Sequence, residues 1–126
     1  YIYRMLNIIR GILHTFGILL IVDATYLMAT KDMFGKIVRD IQISSLELRI
    51  YSTLLCYFCL ATIIYYFIIF KKESLTTSAI LGALVYGVFD FTNHAIFKKW
   101  TLSIALMDVA WGAILFASVS YLVKLF

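Results

Sequence analysis

Four long apolar runs, separated by short clusters of charge, make up nearly the whole chain. They extend over about residues 8–29, 48–70, 76–97 and 101–124. Each is close to the roughly 20 residues that an α-helix needs to cross a bilayer. Transmembrane strands would be about 10 residues long and would alternate in polarity, so a barrel is excluded. Residues 31–47 follow a different pattern. Lys31, Asp32, Lys36, Arg39 and Asp40 share one helical face, and Met33, Phe34, Ile37, Val38 and Ile41 another. That pattern predicts a short amphipathic helix, lying in the membrane surface or facing a partner subunit. Ser74, Thr76 and Thr77 are placed to cap the third span. The predicted fold is all-α: a polytopic bundle of four transmembrane helices plus one interfacial helix, forming a single domain over residues 1–126.

Composition agrees with the pattern. The chain is 63% hydrophobic and 14% charged, against about 45–50% apolar for a soluble domain. It contains no proline, so no helix is broken by that route. The first run is long and carries His14 and Asp23, so no cleavable signal sequence is expected. The net charge of +4 sits in turns and chain ends. It reads as interfacial anchoring and not as a nucleic-acid footprint. Four spans put both termini on one side. Arg4, Arg10, Lys71, Lys72 and Lys124 fall on that side; Lys31, Lys36, Arg39, Arg49, Lys98 and Lys99 fall on the other. So even a split gives no orientation by the positive-inside rule.

Three aspartates interrupt the spans, and ionisable residues within a membrane are functional suspects by default. Asp23 lies near the end of the first span, Asp90 near the end of the third and Asp108 near the start of the fourth. At 1.5 Å per residue, all three sit about 10 Å inside the same membrane face. Their helical faces are compatible with one shared polar layer. On the third span Ala79, Ala83, Tyr86, Gly87, Asp90, Asn93, His94 and Phe97 lie along one line, with Leu81, Leu84, Val85, Val88 and Ile96 opposite. On the fourth, Ala105, Asp108, Trp111 and Gly112 share a face. On the first, Phe16, Leu19, Leu20, Asp23, Tyr26 and Leu27 do. Small residues on such faces allow close helix packing, which assigns Ala79, Ala83, Gly87 and Gly112 to helix contacts. The expected layer is Asp23, Tyr26, Tyr86, Asp90, Asn93, His94, Asp108 and Trp111. No lysine or arginine lies at that depth, so at least one carboxyl is expected to carry its proton at neutral pH.

The stretch from Gly82 to Gly112 resembles a family of small four-helix membrane proteins of unknown function. The family pattern is Tyr-Asp-Leu-Thr-Asn, then Lys-x-Trp-Pro, then Asp-x-x-Trp-Gly. Here it stands as Phe89-Asp90-Phe91-Thr92-Asn93, Lys98-Lys99-Trp100-Thr101 and Asp108-Val109-Ala110-Trp111-Gly112. Asp23-Ala24-Thr25-Tyr26 is similar to an Asp-x-x-Trp element of the family's first span. This chain departs from the pattern at Phe89, Thr101 and His94; Phe89 removes a phenol beside Asp90. The resemblance implies a four-span bundle and brings no activity with it.

Other chemistry finds little support. Cys56 and Cys59 have C-x-x-C spacing, but they lie mid-span, where thiols act as small hydrophobes. His14 and His94 do not pair at ligand spacing, so no metal site is expected. Asp90 and Asp108 lack the Gly-x-Gly-Asp context of an intramembrane aspartic protease. No nucleophile set, phosphate loop or dinucleotide loop is visible, and no cofactor is expected. The first functional expectation is a non-catalytic structural or accessory subunit of a larger membrane assembly, in an organelle membrane or a virion's internal membrane. Its partners would be the lipid bilayer and other membrane subunits or a second copy, without nucleic acid. The alternative is a small proton- or cation-coupled transporter using Asp23, Asp90 and Asp108. An enzyme is the least favoured class.

Overall fold

The computed structural model describes residues 1–126 and is entirely helical. Helix α1 runs Ile2–Gln42. Helix α2 runs Ile50–Ile64 and continues through a π-helical turn, Tyr65–Ile69. Helix α3 runs Leu75–Ile96 and α4 runs Leu102–Leu125. All four are long and apolar enough to cross a membrane. Their outer surfaces are apolar too: Ile21, Met28, Leu84 and Val88 are exposed, as lipid-facing positions require.

The separate interfacial helix expected over 31–47 does not form. Residues 31–42 prolong α1 without a break. The physical reason is continuity of pattern. No proline intervenes, and the apolar face carried by Met33, Phe34, Ile37 and Ile41 finds cover within the chain. Ile37 is buried with Trp100 and Ala105, and Met33, Phe34, Ile41 and Ile104 pack around them. The charged face of Lys31, Asp32, Lys36, Arg39 and Asp40 stays exposed. The helix stops where Ile43 turns left-handed at φ 59° and donates its N–H to the Arg39 carbonyl. Residues 44–49 then form a non-helical link to α2.

Hydroxyl caps start the last two helices. Ser74 Oγ accepts the Thr77 N–H at 3.1 Å, and Thr101 Oγ1 accepts the Ile104 N–H at 3.2 Å. Each satisfies an amide that the helix itself leaves unpaired. Thr101 thereby begins α4 in the position where the resembled pattern has proline. At the opposite end of the bundle, the π-turn is marked by the Phe70 N–H reaching the Tyr65 carbonyl at 2.7 Å. Lys124 Nζ donates to the Glu73 carbonyl at 2.7 Å, fastening the end of α4 to the α2–α3 turn.

Helix α4 is central. The main core joins Leu19 of α1, Ala61 and Ile64 of α2, and Leu115, Phe116, Val119 and Val123 of α4. Helix α3 packs chiefly on α4 and makes no comparable contact with α2. The tight point of the α3–α4 pair is Gly82 against Gly112: a methyl on either would overlap the other's carbonyl oxygen. Gly82, on neither face drawn from the sequence, is buried, whereas Ala79 and Ala83 are half-buried beside it. Gly87 is buried, but a methyl there would meet only the Phe91 ring, at 3.7 Å. Leu81 and Val85, expected on the lipid face, are half-buried against the main core. The line of contact is therefore rotated by about one residue from the one drawn at 100° per residue. Buried Ser78 strengthens it, bonding Ser120 at 2.6 Å and the Phe116 carbonyl at 3.0 Å.

Gly82→Ala and Gly112→Ala are expected to destabilise the protein by about 1–3 kcal/mol through overpacking. Thermal melting in detergent checks this against Gly17→Ala, whose added methyl meets nothing within 4 Å and which should not lower the melting temperature.

Candidate functional site: a buried aspartate layer

All three intramembrane aspartates are buried: Asp90 is 0% exposed, Asp23 4% and Asp108 5%. Helix α1 delivers Asp23 toward the centre of the bundle, where it meets two other helices. Its Oδ1 accepts the indole N–H of Trp111 on α4 at 2.8 Å. Its Oδ2 accepts the phenol of Tyr57 on α2. One carboxylate thus joins three helices. Asp108 on α4 returns the contact, its Oδ1 accepting the Tyr26 phenol of α1 at 2.7 Å. Tyr26 and Trp111 also stack, with ring centroids 4.6 Å apart and planes 2° from parallel. The two crossed donors therefore hold each other in place as well as holding the acids.

Asp90 differs. Neither of its carboxyl oxygens makes a hydrogen bond within the chain, and neither does the indole N–H of buried Trp100. The polar side chains that face Asp90 are Asp108 and Trp100. The Trp100 ring is packed by Phe34 and Phe89, at centroid distances of 5.7 Å and 5.9 Å. It closes the layer on the side of the α3–α4 turn.

The remaining residues of the expected layer divide. Tyr86 projects from α3 into the same region and lines a cavity together with Asp23, Tyr26 and Asp108. Asn93 is half-buried at the edge. His94 is exposed and lies outside the layer. Its Nδ1 donates to the Trp100 carbonyl at 2.7 Å, which fastens the turn instead. No group of His, Cys, Asp or Glu side chains converges in a way that could hold a metal ion. Cys56 and Cys59 are unpaired and exposed on the face of α2.

Sequence reasoning missed two members. Tyr57 lies in a span without charge, where nothing in the sequence marks it. The depth argument would have found it, because α2 enters from the same side as α4. Tyr57 is then about 13 Å deep, close to the level of Asp108. Trp100 falls in the turn between the third and fourth spans, outside the depth count, yet it is 6% exposed.

A family model described as "Predicted membrane protein (DUF2177)" matches residues 8–125. The chain belongs to this family. The match takes in every aspartate of the layer and their partners Tyr26, Tyr57 and Trp111. It fits the kind of family that the acidic stretch resembles: small membrane proteins of unknown function. No curated protein and no solved structure matches the chain.

Hydrogen bonds between membrane helices average about 0.6 kcal/mol and reach about 1.7 kcal/mol. Tyr57→Phe, Tyr26→Phe and Trp111→Phe should each destabilise the bundle within that range. A double-mutant cycle of Tyr57→Phe with Asp23→Asn, read by unfolding in detergent, should give a coupling of the same size. Tyr86→Phe removes a hydroxyl without a hydrogen-bond partner in the chain and should be neutral.

Proposed function

We infer that the protein is a non-catalytic integral membrane protein, a structural or accessory subunit of a larger membrane assembly. The observation that carries this reading is the use made of Asp23 and Asp108. Their carboxylates accept hydrogen bonds from tyrosine and tryptophan on neighbouring helices. They act as joints of the bundle, which is the ordinary role of polar groups between membrane helices. Little of the chain is left for soluble chemistry. The connections between spans are short, and the longest extramembrane element is the end of α1, whose apolar face is already covered by Trp100 and its neighbours. Its exposed charged face is available to a partner subunit.

One observation favours a second reading, proton or cation transfer. Asp90 is buried without a hydrogen bond, and an intramembrane acid in that state is suited to exchange a proton. Against it, the four helices lack the broken segments that carry substrate sites in secondary carriers.

The two readings separate in one experiment. The wild-type protein, Asp90→Asn and Asp108→Asn are reconstituted in liposomes under an imposed pH gradient, and their migration from mildly solubilised native membranes is followed by native electrophoresis. The structural reading expects no proton flux above empty liposomes and wild-type migration as part of a larger complex. A flux that either asparagine variant abolishes, from a protein that migrates as a monomer, would overturn it.

A further inference from the structure

Helices α2 and α3 stand side by side in the wall of the bundle without packing on each other, and the space between them is a cleft. Two cavities occupy it, of about 310 and 200 Å³, and a third of about 200 Å³ lies further in, between α1, α3 and α4, sharing Tyr86 with both and Phe89 with one. Tyr86 lines all three; Cys56 and Leu60 of α2 line two, and so does Phe89 of α3. The outer part is apolar, bounded by Cys56, Leu60, Val85, Tyr86 and Phe89. The inner part reaches Asp23 and Asp108. The cleft therefore leads sideways, from the surface that faces lipid to the acid layer. Its combined size is that of a small-molecule site.

The floor states what chemistry would fill it. The lining contains two carboxylates and no lysine, arginine or histidine. Asp108 accepts a donor from the neighbouring helices only at Oδ1, from Tyr26. Behind it stands Asp90, fully buried and unpartnered. A carboxylate accepts hydrogen bonds and cannot donate them, and an ammonium donates three and accepts none. Around the acids are the rings of Tyr26, Phe34, Tyr86, Phe89 and Trp100, and aromatic faces attract cations, most strongly where water is excluded. A hard metal cation would demand six or more oxygen ligands, which these walls do not offer. An alkyl chain suits the apolar outer part.

We propose that the cleft between α2 and α3 binds a lipophilic amine that enters from the bilayer, its ammonium group on Asp108 and its hydrocarbon chain between Leu60 and Tyr86. Asp108 is the group that contacts the ligand. Asp23 adds negative charge beside it. The site goes beyond the bundle-forming role of the layer, because in it Asp108 holds a ligand as well as Tyr26.

The test uses the full chain in phosphatidylcholine nanodiscs and n-dodecylamine as the probe, with n-dodecanol as its uncharged counterpart. Binding is read from the intrinsic fluorescence of Trp100 and Trp111. The expected result is saturable binding of the amine, at least tenfold tighter than that of the alcohol. Asp108→Asn should weaken amine binding at least tenfold. Because that substitution also touches the Tyr26 bond, Cys56→Phe serves as a second variant. It narrows the cleft, leaves every carboxylate in place, and should also lose the amine. Equal binding of alcohol and amine, or amine binding unchanged in Asp108→Asn, would overturn the proposal. So would the absence of saturable binding, or efficient cross-linking of Cys56 between two copies that shows the cleft closed by a second chain.

Discussion

Asp23 is the joint on which this bundle turns. An unpaired carboxylate within the membrane is costly, and this one is made tolerable only by donors arriving from α2 and α4 at once. Tyr57 and Trp111 must both be at its depth, which fixes the height of α2 and α4 relative to α1. The Tyr26–Asp108 bond fixes the same heights a second time, from the opposite direction. Dispersion between lipid-like side chains holds helices together without strongly choosing their register. In this molecule the register is chosen by the acids.

Helix α3 is held by a different means. It takes no hydrogen bond from the Asp23 network and leans on α4 through backbone proximity at Gly82 and Gly112 and through the Ser78–Ser120 pair. These contacts begin one turn beyond Asp108 and run toward the end of the bundle that holds the chain termini. At the other end, Trp100 and the α3–α4 turn sit under the prolonged end of α1. Helix α3 is thus fastened at both ends of the hairpin but not along its side toward α2, and the cleft follows from that division.

Much of this was legible in the residues. Four apolar runs specified four helices, and a depth count from the span ends brought Asp23, Asp90 and Asp108 to one level. What the residues did not show has physical causes. A tyrosine in an uncharged span does not announce whether its hydroxyl seeks water or a carboxylate, so Tyr57 escaped notice. The charged stripe on 31–42 looked the same whether its apolar face met lipid or Trp100; only tertiary contact distinguishes the two. Rotation of α3 by one residue decided that Gly82, and not Gly87, would meet a backbone. His94 lay near the predicted line but one turn too far, where the chain had already reached the surface.

The joining of α3 to α4 by a five-residue turn (97–101) bears on how the protein reaches its membrane. Asp90 and Asp108 lie on consecutive segments, and the side chains that face Asp90 belong to its own hairpin: Asp108 and Trp100. A segment inserted alone would bring its acid into hydrocarbon without either neighbour. Delivered together, as one helical hairpin, the two segments bring each acid its neighbour. The short turn therefore brings the two acids of the second half into the membrane as a pair.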